Sequence, residues 1–210
     1  MIARRRAAVA IGVAAVLVIG GFLLFGGDTP LIPGVHNGPG EFGFRLANVH
    51  ASPTTDTPPS ELKDTAREAG VGIKETMDEL YLRAFVDTGS WGDYGAAFEL
   101  FDGEAQTRAE ADVDVLTLGP SAKDDFETLD GQSGTLTIAV LTDKKDAPVT
   151  AIADVQFQAD AQGKDHTTTQ ISSIGSFFLR QVDGAWKIFA YRVDRDDQTV
   201  TASSPSGSPS

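Results

Sequence analysis

An Asp-Gly pair at positions 183 and 184 constrains the fold more than any other feature of the sequence. It sits between two runs rich in aromatic and β-branched residues, in the stretch GSFFLRQVDGAWKIFAYRVDR from Gly175 to Arg195. A two-residue connection needs positive φ at both positions, which Asp-Gly supplies, so the stretch predicts a β-hairpin. Such a turn opposes Val182 to Ala185, Gln181 to Trp186, Leu179 to Ile188 and Phe177 to Ala190. Phe177, Leu179, Trp186 and Ile188 then share one face, which needs an apolar cover. The other face carries Phe178, Val182, Phe189, Tyr191 and Val193 among Arg180 and Lys187, a mixture suited to a partly buried surface or a dimer contact. Phe178, Phe189 and Tyr191 are the candidate residues of an interaction face.

The segments before the hairpin predict what covers it. Pro58-Pro59-Ser60-Glu61 opens a helical region. Gly70 and Gly72 should divide that region into a short helix and a stronger one, in which Ile73, Met77, Leu80, Tyr81, Ala84 and Phe85 form an apolar stripe. Helical spacing returns over 91–101 with Tyr94, Ala97, Phe98 and Phe101, and a further helical stretch runs from about Gly103 to Leu118. The period then changes to two. Leu136, Ile138 and Val140 alternate with smaller or polar residues, a turn follows at Lys144-Lys145-Asp146, and Val149 to Phe157 alternate again. A turn at 160–165 leads to a long strand over 166–182, bent or bulged near Gly175. The expected fold is α+β: N-terminal helices packed on a curved four-stranded antiparallel sheet, enclosing a cone-shaped hollow that is a candidate pocket.

The N-terminus predicts a membrane anchor. Residues 1–6 include Arg4, Arg5 and Arg6, and 7–27 form an uncharged apolar run long enough to cross a bilayer as a helix. The run ends in Phe22-Leu23-Leu24-Phe25-Gly26-Gly27, without the small-residue site of a cleaved secretory signal. The arginines belong on the cytoplasmic side, so the C-terminal part lies outside the cell membrane in a single-pass arrangement. Residues 28–59, rich in Gly, Pro and Thr, read as a flexible linker, 60–196 as the folded domain and 197–210 as a disordered tail.

Charge and composition exclude several functions. The chain carries a net charge of −13 at pH 7; setting aside Arg4, Arg5 and Arg6, 14 of the 17 basic residues remain against 30 acidic ones, a balance of −16. A domain that acidic repels phosphate, so no nucleic-acid partner is expected. No cysteine is present, which removes disulfides, thiolate nucleophiles and zinc-thiolate sites. His36, His50 and His166 are far apart, and Asp124-Asp125 and Asp196-Asp197 lack a calcium-loop pattern, so no metal is expected. No phosphate-binding Gly loop or nucleophile elbow is found, and no cofactor is expected.

The layout resembles the nuclear transport factor 2-like, or SnoaL-like, superfamily. The resemblance covers roughly Ser60 to Asp196 and rests on initial helices, a tryptophan after the first long helix (Trp91), and a last hairpin matching FxLxxxDGxWKI at Phe177 to Ile188. An anchor followed by such a domain is also similar to the Mce-associated membrane proteins of bacterial envelopes. The resemblance implies a cone that could take an apolar small molecule or lipid, with Tyr81, Trp91, Tyr94, Phe98 and Trp186 as ligand-pocket candidates. Enzymes of this fold, ketosteroid isomerases and polyketide cyclases, use Asp, His or Tyr in the cone. The positions to weigh are Tyr81, Asp93, Tyr94, Asp154 and His166. Asp93 suits a helix cap, Asp154 is out of phase with its strand's apolar set, and His166 follows a charged turn. The expected function is a membrane-anchored, extracytoplasmic, non-catalytic binding or interaction module of a bacterial cell envelope, with a protein partner or a second copy. The alternative is a small-molecule enzyme using a carboxyl in the cone.

Overall fold

The computed structural model describes residues 42–200; the apolar run at 7–27, its basic flank and residues 201–210 lie outside the described residues. The fold is α+β, with one five-stranded mixed sheet and several helices. Strand β1 spans Arg45–Ser52 and is followed by helix α1, Lys63–Tyr81, which runs on into a wider π-type turn at Leu82–Val86. Short helices α2 (Gly95–Phe98), α3 (Glu104–Ala111), α4 (Val113–Leu116) and α5 (Ala122–Asp125) lead to the long strands β2 (Phe126–Thr142), β3 (Pro148–Gly163), β4 (Thr168–Val182) and β5 (Ala185–Val200). The strands lie in sequence order, with β2 to β5 an antiparallel meander and β1 parallel to β2. No described helix is long and apolar enough to cross a membrane.

The sheet therefore has one strand more than the alternation predicts, and it comes from the expected linker. Strand β1, RLANVHAS, shows little alternation because most of it is exposed, with Ala51 alone buried and Val49 half-buried. Its place is set by what flanks it. Phe42 and Phe44 enter the core, the Phe44 N–H donates to the Asp78 carboxylate at 2.8 Å, and Lys74 pairs with the same carboxylate. After the strand, the Thr54 hydroxyl donates to the Thr142 carbonyl (2.8 Å), and the Thr55 and Thr57 hydroxyls donate to Asp146 at 3.1 and 3.2 Å. A parallel pair needs a crossover, and α1 with the helices after it supplies one.

Helix α1 also departs from expectation, because Gly70 and Gly72 do not divide it. Both glycines are points of close approach: a Cβ would meet Val49 Cγ1 at 3.0 Å from Gly70 and Trp186 Cδ1 at 3.0 Å from Gly72. Their small size lets the helix press onto β1 and the hairpin, and tertiary packing outweighs their weak propensity. The buried stripe holds Ala66, Ala69, Ile73, Met77, Leu80 and Tyr81. Around 91–101 only Gly95–Phe98 is helical, since Gly92 has φ of +80° and turns the chain before it. The helical stretch after Gly103 is interrupted at Asp112, whose carboxylate takes hydrogen bonds from Arg108 Nε (3.2 Å) and the Tyr191 hydroxyl (2.8 Å).

The hairpin forms as predicted at its tip, where Asp183 and Gly184 have φ of 51° and 84° and Val182 faces Ala185, Gln181 Trp186 and Leu179 Ile188. Beyond Ile188 the register changes. Phe178 pairs with Ala190 and Phe177 with Tyr191, so Phe189 is an extra residue on β5 and the irregularity lies there, not near Gly175. This bulge turns Tyr191 inward, where it is 6% exposed and packs on Phe101 and Phe177. Tyr191 thus leaves the predicted interaction face and joins the core. Strand β5 continues to Val200 opposite Thr168, past the expected start of the tail.

Candidate functional site

The hollow between helices and sheet is filled by aromatic side chains. Phe44, Tyr81, Phe85, Phe157 and Phe177 are all buried, and Phe42 packs against them. The Tyr81 ring lies 4.9 Å from Phe44, 5.3 Å from Phe85, 5.2 Å from Phe157 and 6.2 Å from Phe177, centroid to centroid. Phe42 closes the group with an edge contact to Phe157 at 5.5 Å. Such edge and offset contacts add to area burial and leave little room for a guest. Phe42, Phe44 and Phe157 carry this result, and only Phe157 sat in a recognisable strand pattern.

The five predicted pocket residues are all buried, and their polar atoms serve the fold. The Tyr81 hydroxyl meets Ser173 Oγ at 3.1 Å, Trp91 Nε1 donates to the Phe85 carbonyl at 2.7 Å, and the Tyr94 hydroxyl donates to the Gly119 carbonyl at 2.9 Å. Phe98 packs between Tyr94 and Phe101, and Trp186 covers Gly72 on α1. They are not brought together around one cavity. Concavities of about 480 and 310 Å³ exist on the described surface, and neither is lined by any of the five. Asp93, Asp154 and His166 are exposed, with Asp154 accepting a hydrogen bond from Ser176 at 2.5 Å.

Burial raises the hydroxyl pKa of Tyr81 far above its ordinary value of 10, and raises that of Tyr94. Tyr191 is raised by burial and then by the Asp112 carboxylate that accepts its hydrogen bond. A folded-state value above the unfolded one favours the neutral form in the native protein. That stability is fully present below pH about 10 and is lost as pH climbs toward the folded-state value. We expect stability in denaturant titrations to be flat with respect to tyrosine ionisation up to that pH. Above it, stability should fall by about 1.4 kcal/mol per pH unit for a buried tyrosine such as Tyr81, with tyrosinate absorbance appearing only on unfolding. Tyrosinate formed by every tyrosine near pH 10 without unfolding would contradict the closed core.

Arg195 was not singled out by sequence patterning, yet its side chain is only 10% exposed. It donates to the Asp114 carbonyl at 2.9 Å and to the Thr117 carbonyl, pairs with Asp197, and lies 5.9 Å from the Phe85 ring centroid. The bulge at Phe189 explains this, because 191, 193 and 195 then share the inward phase. Arg195 therefore ties the end of α4 to β5.

The second face of the sheet is not covered by any described element. Phe178 and Phe189 are half-buried there, 6.4 Å apart, with Ile152 opposite Phe178 and the Arg180 guanidinium 5.5 Å from the Phe189 ring. Arg180 is itself held by Asp102, with Nε at 2.8 Å.

No family model matches the chain. No curated protein sequence matches it either. The chain aligns with a crystal structure assigned to an aromatic ring hydroxylase from Novosphingobium aromaticivorans, 13% identical over 69% of this chain and 96% of that one, with a TM-score of 0.36. At that level the likeness carries no argument about function.

Proposed function

We propose that the chain is a membrane-anchored, extracytoplasmic, non-catalytic interaction module of a bacterial cell envelope, an accessory subunit of an envelope complex. In this reading residues 7–27 are the single-pass anchor, residues 1–6 stay in the cytoplasm, and the domain has the nuclear transport factor 2-like fold with its cone closed. The observation that carries it is the contrast between the two sides of the sheet. The side where a ligand would sit is packed with Tyr81, Phe85, Phe157 and Phe177 and plugged by Phe42 and Phe44. The other side leaves Ile152, Phe178 and Phe189 partly open to solvent.

The exposed positions of Asp93, Asp154 and His166 favour this reading over an acid–base enzyme, since a shifted catalytic carboxyl needs an apolar wall. The fourteen residues 28–41 between anchor and described domain reach at most about 50 Å when fully extended. Such a tether would raise the domain's effective concentration toward other membrane-bound partners.

Phe189→Asp tests the reading. The site is half-buried and surface-facing, so the fold should lose no more than about 1 kcal/mol. Association should weaken by about 30-fold, the loss of one aromatic anchor at a contact centre. Sedimentation of the full chain extracted in mild detergent reads both. A variant that stays fully assembled would remove Phe189 from the contact.

A further inference from the structure

The open face of the sheet changes character along its strands. The end near the hairpin tip carries Ile152, Phe178 and Phe189, whereas the far end is a polar trough of about 480 Å³. One row across the strands is Ser133, Gln158, Ser172 and Asp196; the next includes Asp160, Gln170 and Gln198. Strand β2 is irregular between Asp130 and Ser133, and Gly131, with φ of +62°, sits at that step. A Cβ on Gly131 would lie 3.4 Å from Asp160 Oδ2, so the bare glycine backbone helps keep the space beside that carboxylate open.

Three features of this trough select its occupant. Within it, among the described residues, Gln198 and Asp196 are bonded to each other at 3.0 Å. The side chains of Ser133, Gln158, Asp160, Gln170 and Ser172 spend no hydrogen-bonding capacity on the protein, and most are exposed. No Lys, Arg or His lines it, while Asp160 and Asp196 supply negative charge. Amides, hydroxyls and carboxylates are spaced about 4.8 Å across the strands and about 6.8 Å along them, an array suited to many hydroxyls. Its large apolar lining residue, Ile171, is buried beneath the surface, and the exposed aliphatic residues of this face, Ile174 and Val200, flank the trough without lining it. Phosphate-bearing ligands are repelled, and no group of three acidic or histidine side chains among the described residues is placed to hold a metal ion.

We propose that this trough binds an amino-sugar oligosaccharide, with ring hydroxyls on Gln158, Gln170 and Ser172 and an ammonium group on Asp160. The site is separate from the apolar contact patch and stands or falls independently of it. With no aromatic ring to stack on a sugar, the affinity should be weak, in the millimolar range.

The test is a titration of the isotope-labelled full chain in a polyoxyethylene detergent, chosen because it carries no sugar headgroup. Three probes are compared: a glucosamine tetramer, the neutral cellotetraose and the hydroxyl-free cation spermine. The expected result is saturable shifts of the Gln158 and Gln170 side-chain amide signals with the glucosamine tetramer, and weaker shifts with the other two. Asp160→Asn should lower affinity about fivefold, the upper end for one solvent-accessible ion pair. Gln158→Trp, which fills the trough from an exposed position, should abolish binding while leaving the remaining spectrum unchanged. Absence of shifts, equal binding of spermine, or an unchanged affinity in Asp160→Asn would each overturn the proposal.

Discussion

Phe44→Ala is expected to cost the fold about 3–5 kcal/mol, the range for removing a fully buried aromatic ring from a core. Phe44 is 2% exposed and makes edge contacts with Tyr81 at 4.9 Å and Phe42 at 5.0 Å. Its ring lies over Gly134, where a Cβ would come within 2.5 Å of Phe44 Cδ1, so that position offers no side chain to refill the space. The loss is large for a domain whose whole stability is of order 10 kcal/mol. Urea titration of the full chain measures it, with Val71→Ala, at a site 56% exposed, as a control expected to change little. A change below about 1 kcal/mol in Phe44→Ala would mean that the segment before β1 is a tether and not part of the core.

Gly175→Val should be comparably damaging for the opposite reason. A Cβ at Gly175 would stand 2.6 Å from the Arg192 carbonyl oxygen and 2.8 Å from Val193 Cγ2 on the paired strand β5. The first of these is backbone, which cannot rotate out of the way. Overpacking costs about 1–3 kcal/mol, and a clash with the backbone of the paired strand should reach the upper end. The expected signature is a lower urea midpoint together with loss of amide-exchange protection on β4 and β5. Gly184→Ala, at a solvent-exposed turn position with φ of +84° and nothing within 4 Å, should be milder, limited to the strain of a left-handed residue.

The same contacts explain what could be read from the residues and what could not. The four antiparallel strands were legible because Leu136, Ile138, Val140, Val155 and Phe157 alternate cleanly, and the Asp183-Gly184 turn dictates its own geometry. Strand β1 was not, because a largely exposed edge strand carries little hydrophobic pattern and its anchors, Phe42 and Phe44, stand outside it among glycines. Gly70 and Gly72 misdirected the reading of α1, since propensity alone does not register that two close approaches require them. The bulge at Phe189 had the widest consequences: one extra residue sent Tyr191 and Arg195 inward. Tyr81, Tyr94 and Phe98 stand at helical spacing and Trp186 lies on the apolar face of the hairpin, whereas the polar sequence around Trp91 gives no sign of its burial. Whether they line a hollow or fill it depends on Phe42 and Phe44, from a segment whose composition reads as a linker.

In the function proposed above, the domain works through its outer sheet face while its interior stays closed. The decisive comparison is native mass spectrometry of the full chain, wild type beside Phe189→Asp. The expected result is an assembly heavier than one chain, with no small molecule retained, and its dissociation to single chains in the variant. A single chain carrying a stoichiometric apolar molecule, unchanged by Phe189→Asp, would contradict it and return the cone to the role of a binding pocket.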